Sequence, residues 1–271
     1  MNRTDTQIMQ RLQEHLAHYK EHYDNEWVGL FLQGSQNYGL AYEGSDIDTK
    51  IIILPKFENV VLNHSPVSTT SILPNNEHLD VKDVRLMFDC FRKQNINFLE
   101  ILFTPYCIIN PKYSAFFQPL LDARERIARY NNYAAIHCMG GMVSEKRKLL
   151  TKVSPSSEEV IRKYGYDGKQ LHHMERLLEF IGRYAAGEPY VDCLKSNQRE
   201  YMLSLKKHEL QMEDAIKRAD DVVRLMDEAI QQYKAEHELA VDNGVVELLN
   251  RTTTGLIRRA FEVEFDRAGQ F

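Results

Sequence analysis

Asp46 and Asp48 stand either side of one isoleucine in the run Gly44-Ser45-Asp46-Ile47-Asp48-Thr49-Lys50-Ile51-Ile52-Ile53-Leu54. The apolar stretch after Asp48 reads as a strand, and side chains two apart on a strand leave by the same face. Both carboxylates therefore point one way while Ile47 points to the core. Like charges so placed repel unless a cation lies between them. A hard divalent ion such as magnesium takes oxygen ligands and keeps substrate phosphates in its shell, so it is the natural partner. Upstream, the apolar run Trp27–Leu32 ends at Gly34-Ser35. Backbone N–H groups of that turn, opening a short helix over 36–42, offer a place for a phosphate. Downstream, Asp80 lies between Leu79 and Val81 in a short third strand over 77–83, facing away from the core. A turn, a carboxylate pair and a later carboxylate can build a two-metal site for in-line displacement at phosphorus. Each part alone is common: Ser-Asp-Ile-Asp also reads as a solvated turn, Gly-Ser as a plain loop, and Asp80 as one acid among many. The ordered set between apolar runs favours phosphate and metal.

A second constellation is Lys163-Tyr-Gly-Tyr-Asp167-Gly168-Lys169-Gln-Leu-His172-His173-Met-Glu-Arg176. Asp167 and the glycines mark a helix start, after which Lys169, His172, His173 and Arg176 recur three to four apart, giving one basic face. A solvated helix with a core histidine explains this as well as a contact to triphosphate or acceptor does. His172-His173 is a poor metal pair, since adjacent helix positions diverge by about 100°. The run Glu145-Lys146-Arg147-Lys148 with Lys152 reads as a solvated face before it reads as an RNA contact. No Ser-His-Asp or Cys-His set points to a hydrolase.

The elements that must position these residues follow from periodicity. Ile8, Leu12, Leu16 and Tyr19 predict a helix over 5–24. Strands follow at 27–33 and 46–54, and a brief strand fits Val60–Leu62. The segment 55–76 is otherwise loose. Asp83 is placed to cap a helix over 84–94, and Phe98–Phe103 is a further short helix or strand. Beyond residue 111 the apolar spacing turns helical: 114–130, 131–151, 157–186, 197–207, 209–237 and 242–264. The expected fold is α+β, with a small αβ core and short mixed sheet over 1–111 followed by an all-helical domain over 112–271.

The 271 residues carry a net charge of −5, which gives no global nucleic-acid footprint but leaves room for a local basic groove. Cys90, Cys107, Cys138 and Cys193 form no CxxC pair, so neither a zinc knuckle nor a redox pair is indicated. Scattered cysteines and an N-terminus without a signal-peptide core predict a reducing, cytoplasmic setting. No apolar run approaches the ~20 residues that span a bilayer, so no membrane partner is expected.

Leu32-Gln33-Gly34-Ser35, then Ser45-Asp46-Ile47-Asp48, then Asp80 resembles the signature of the DNA polymerase beta nucleotidyltransferase superfamily. Gly34-Ser-Gln-Asn-Tyr-Gly-Leu40, Phe98-Leu-Glu100-Ile-Leu-Phe103 and Tyr164-Gly-Tyr166-Asp-Gly-Lys169 are similar to its RNA-ligase-associated predicted nucleotidyltransferases. The broad signature covers about 28–82 and the narrower likeness reaches roughly 185. The resemblance implies that Asp46 and Asp48 bind both metals. It implies that Asp80 binds the catalytic metal and helps activate the acceptor hydroxyl, and that Gly34 and Ser35 hold the β- and γ-phosphates. Lys169 joins the phosphates because a second helical domain commonly closes the cleft in that superfamily. Mg2+ or Mn2+ is the implied cofactor, ATP or another NTP the donor, and pyrophosphate the leaving group. An RNA end is the favoured acceptor. A protein or small-molecule hydroxyl, and a non-catalytic nucleotide-binding protein, are the alternatives.

Overall fold

A computed structural model describes residues 4–42 and 44–268 of the chain. In chain order the elements are α1 (Asp5–His22), β1 (Trp27–Gln33), β2 (Asp48–Ile53), α2 (Phe57–Val61), β3 (Ser68–Ile72), β4 (His78–Asp83), α3 (Val84–Arg92) and α4 (Ile96–Leu99). After a 3-10 turn over Glu100–Leu102 come β5 (Cys107–Ile109), α5 (Ser114–Asp122), α6 (Arg124–Arg129), α7 (Asn132–Leu149), α8 (Glu158–Tyr164) and α9 (Gly168–Ala185). The chain closes with α10 (Tyr190–Cys193), α11 (Arg199–Lys206), α12 (Met212–Glu236) and α13 (Asn243–Ala268). The described residues divide into two compact units: 4–37 with 41–42, 44–130 and 242–268, and 38–40 with 131–241.

The first unit is built on a mixed sheet in the order β3-β4-β2-β1-β5. β2 and β4 run parallel, and the other neighbours pair antiparallel. β1 and β2 lie at the centre and read as near-continuous apolar runs because both faces are covered. Thr4 opens α1 with a capping box to Gln7. The stripe Ile8, Leu12, Leu16 and Tyr19 of α1 packs on one sheet face against Leu30, Leu32, Ile47, Ile51, Leu79 and Val81. Burying each aliphatic side chain there contributes about 1.5–3 kcal/mol. The opposite face is apolar toward its far end, where Phe31 meets Phe117 of α5 at 5.2 Å. α13 returns to this unit and packs on α3 and α5, with Phe57 edge-on to Phe261.

The expected strand at 27–33, the third strand with Leu79 and Val81 inward, and the Asp83 cap on α3 are present, while the strand expected over 46–54 runs as Asp48–Ile53, so Asp46 precedes it. Three local readings are corrected. Residues 36–42 form turns instead of a short helix, because Gly34 and Gly39 adopt positive φ and the Asn37 side chain bonds back to Leu32 O at 2.9 Å. Val60 lies in the helical turn α2, since β3 takes the edge position beside β4. The helix expected over 157–186 is broken at Gly165, whose φ of +77° ends α8 before Asp167 caps α9.

The second unit is helical. α7, α9 and α12 pack on one another, and α10 and α11 lie against α9. Gly140 lets Ile230 of α12 approach so closely that a Cβ there would meet its side chain at 2.7 Å. Phe180, Tyr184, Tyr190 and Tyr233 form its aromatic centre.

Candidate active site

Strand register decides which side chains share the polar end of the sheet. Gln33 pairs with Asp48, Lys50 with Asp80, and Thr70 with Asp80. Residues in register point the same way, so Gln33, Asp48, Lys50, Thr70, His78 and Asp80 share one face, opposite α1. Ile47 is fully buried in the α1 cluster, and Asp46 before it is exposed.

Asp48 is half exposed. Its Oδ1 accepts from the His78 backbone N–H and lies 3.1 Å from His78 Nδ1. Its Oδ2 lies beside the glycine turn, where a Cβ on Gly34 would come within 4.0 Å. Asp80 is held more tightly. Thr70 Oγ1 donates to Oδ1 at 2.5 Å, Gln33 Nε2 donates to Oδ2 at 2.9 Å, and Lys82 Nζ stands 3.7 Å from Oδ1. Burial alone would raise the Asp80 pKa, but the hydrogen bonds from Thr70 and Gln33 and the charges of Lys82 and Lys50 outweigh it. The carboxylate is therefore held below its ordinary range.

The segment that carries Asp46 and Asp48 is anchored from beneath. Glu77, only 2% exposed, accepts the Ile47 backbone N–H through Oε1 at 3.2 Å. Its Oε2 receives Arg11 Nη2 at 2.6 Å and Nε at 2.9 Å. His15 Nε2 lies 3.0 Å from the same oxygen, and His15 Nδ1 lies 2.7 Å from Thr49 Oγ1. Burial lowers the His15 pKa, and the hydrogen bond to Glu77 only partly opposes this. Neutral His15 thus donates from Nε2 to Glu77 and accepts from Thr49, a tautomer its two partners dictate.

Gly34 begins the turn with φ of +84°, a conformation a side chain would strain. Asn37 N donates to Gly34 O at 3.0 Å, and Thr104 Oγ1 donates to Asn37 Oδ1 at 2.8 Å. Ser35 lies in the same turn and is partly exposed. The phosphate position at a helix start is not built here, since no helix follows Ser35.

Lys50 escaped sequence reasoning, although its place two residues after Asp48 puts it on the same face. It is 3% exposed. Its Nζ donates to the Asn97 carbonyl and lies 4.3 Å from the centre of the Phe98 ring. Burial lowers its pKa while the charges of Glu100 and Asp80 pull it back up.

Among the described residues, no group of three or more His, Cys, Asp and Glu side chains is gathered tightly enough to hold a metal ion. The donor chemistry decides the fit. Asp46 and the outer oxygen of Asp48 are hard oxygen donors, suited to a divalent ion that completes its shell with phosphate oxygens and water. Asp80 can join only through lone pairs left over, because both its oxygens already accept hydrogen bonds.

Lys169 belongs to the second unit, exposed in the first turn of α9, where its backbone N–H is capped by Asp167 at 2.9 Å. Arg147 of the basic run pairs with Asp220 at 2.6 Å, as a solvated face does.

Residues 8–251 match the model of the RlaP family, described as an RNA repair pathway DNA polymerase beta family. The chain belongs to this family. It is therefore a member of a nucleotidyltransferase family, as the Gly-Ser and Asp-x-Asp motifs imply. No curated protein matches it. Among solved structures it is similar to a nucleotidyltransferase-like protein from Exiguobacterium sibiricum 255-15. That likeness has 12% identity, covers 83% of this chain and 75% of the other, and has a TM-score of 0.29. Among the described residues no helix is long and apolar enough to cross a membrane.

Proposed function

We propose that the protein transfers a nucleotidyl group from an NTP to a hydroxyl, with an RNA end as acceptor and pyrophosphate as leaving group. The acceptor oxygen forms a bond to the α-phosphorus while the bond from that phosphorus to the bridging oxygen breaks. The hydroxyl proton is lost and the electron pair leaves with pyrophosphate. The observation that carries this reading is the shared sheet face of Asp48 and Asp80, with Gln33 in register beside Asp48 and donating to Asp80, in a chain of this family. The family description supports RNA as the acceptor class.

Asp46 and Asp48 would hold a divalent cation, magnesium or manganese, with Asp80 as third ligand. That ion would neutralise the triphosphate and lower the pKa of the acceptor hydroxyl. The chain's own residues set the stage. Glu77 fixes the backbone between the aspartates, and His78 orients Asp48. Thr70 and Gln33 keep Asp80 ionised, so it accepts a hydrogen bond from the acceptor and orients it. Gly34 and Ser35 line the turn beside Asp48, where backbone N–H groups meet the β- and γ-phosphates. Lys169 is assigned to the phosphates on the resemblance alone. A reducing cytoplasm suits four cysteines of which none forms a disulfide.

The test is incubation with each α-labelled NTP, magnesium or manganese, and an RNA with free hydroxyl ends. Label on RNA that is lost in Asp48→Asn supports the proposal. Label on a protein or small-molecule hydroxyl redirects the acceptor, and no label on any acceptor overturns the reaction.

A further inference from the structure

No helix follows the Gly34-Ser35 turn, so other groups must hold its backbone in place. The Asn37 side chain does so. Its Nδ2 donates to the Leu32 carbonyl near the end of β1 at 2.9 Å, and Glu100 Oε2 lies 3.5 Å away on the same side. Two acceptors facing the NH2 group fix which way the amide lies. Oδ1 therefore faces Thr104, whose hydroxyl donates to it at 2.8 Å. Thr104 is held in its turn. Its Oγ1 accepts from the Tyr106 backbone N–H at 3.3 Å, and its own N–H donates to the Glu100 carbonyl at 3.1 Å. The Leu32 N–H donates to the Tyr106 carbonyl at 3.0 Å. The segment 100–106 is thus tied both to the end of β1 and to the turn beyond it.

This brace leaves donors free. The Asn37 N–H is used inside the turn, on the Gly34 carbonyl at 3.0 Å. Among the described residues, the backbone N–H groups of Ser35 and Gln36 have no hydrogen-bond partner, and both residues are partly exposed. Two successive free N–H groups, in a turn that opens on a glycine at φ of +84°, make a concavity for an anion. Where they point depends on the turn keeping its shape. Glu100 extends the tie to the sheet: it is 3% exposed, and its charge acts on the buried Lys50 of β2.

We propose that Asn37 and Thr104 are positioning residues for the triphosphate. The amide and the hydroxyl hold the turn in the shape that aims the Ser35 and Gln36 N–H groups at the β- and γ-phosphates. The inference rests on the phosphate role proposed for that turn and adds the residues that set its affinity. Both act through the turn and not on the reacting atoms. Their loss weakens ground state and transition state alike, which raises KM and leaves kcat unchanged.

The test is an NMR titration of the 15N-labelled full chain with magnesium ATP and, separately, with AMP. The Ser35 and Gln36 amide signals should shift with ATP and stay in place with AMP. Thr104→Val keeps the side-chain shape and removes the hydroxyl. It should raise the ATP concentration at half-shift about fivefold, the scale of one neutral hydrogen bond, and Thr104→Ser should restore it. Without nucleotide, Thr104→Val should speed hydrogen exchange at the Asn37 amide while the amides of β1 and β2 keep their protection. Asn37→Ala should act in the same direction. Circular dichroism melting identifies a variant that fails to fold, and Thr104→Val remains informative if Asn37→Ala does. The proposal is overturned if both folded variants titrate as wild type does, if Thr104→Ser fails to restore the affinity, or if exchange rises throughout the sheet. It is also overturned if ATP leaves the wild-type Ser35 and Gln36 signals unmoved. Signals that follow ATP in a chain that transfers no label would overturn the proposed reaction and leave the brace standing.

Discussion

Glu77→Gln isolates the anchoring of the aspartate segment. The glutamate serves both sides at once: Oε1 takes Ile47 N–H, and Oε2 takes Arg11 and His15. A glutamine can keep one side only. With its oxygen toward Arg11 and His15, its NH2 meets the Ile47 N–H, donor against donor. Leaving that buried amide unsatisfied costs about 1–3 kcal/mol. Losing the charge opposite Arg11 adds roughly 1 kcal/mol, discounted because Arg11 is 26% exposed and can turn to water. The sum, about 3 kcal/mol, should lower the melting temperature by roughly 6–12 °C at 2–4 °C per kcal/mol. Scanning calorimetry measures this. Glu14→Gln, which removes the more exposed partner of the same arginine, should shift it by no more than about 2 °C. Transfer per folded molecule should also fall in Glu77→Gln, since Asp46 and Asp48 flank the released peptide. An unchanged melting temperature would refute the energetic reasoning. A lowered one with undiminished transfer would refute the claim that Glu77 positions the aspartates.

Other perturbations probe the same architecture. Burial keeps His172 neutral in the fold, with its pKa lowered to about 3 from 6.5, so its contribution to stability is full above pH 6.5 and is lost as pH falls toward 3. At pH 5 the loss is about 2 kcal/mol by proton linkage, and a denaturant titration of His172→Asn, which keeps a donor for Met202 O, should show that much less pH dependence. Gly34→Ala should cost about 1–2 kcal/mol in chemical denaturation, because alanine at φ of +84° is strained. Lys50→Met replaces a buried cation with an apolar chain of similar length. It should leave stability within about 1–2 kcal/mol while raising the Asp80 pKa, read as a carboxyl shift in 13C-NMR titration.

Much of the site was readable where chemistry and periodicity agree. The apolar alternation after Asp48, and Leu79 and Val81 around Asp80, set the orientation of those two acids, since a strand's two-residue period leaves no other choice, whereas Asp46 precedes β2 and is exposed. Lys50 obeyed the same period and could have been found by it. The anchors could not. Glu77 lies more than sixty residues from Arg11 and His15 and meets them only because α1 packs on the sheet. β3 and β5 carried no distinct signal: β3 is an exposed polar edge strand and β5 spans three residues. The turn after Gly34 read as helix because its glycines and Asn37 act through backbone conformation, which hydropathy does not register. The bond from Thr104 to Asn37, 67 residues apart in the chain, is likewise visible only in the fold.

The most direct measurement is the transfer of α-labelled nucleotide to RNA by wild type and by Asp48→Asn at matched folded concentration. Label should appear with wild type only when a divalent metal is present. Asp48→Asn should lower the rate about 100-fold or more, the scale of losing one electrostatic contact to the reacting phosphate, with its melting temperature unchanged. Equal rates in the two proteins, or label that does not depend on metal, would contradict placing the chemistry on the Asp46, Asp48 and Asp80 face.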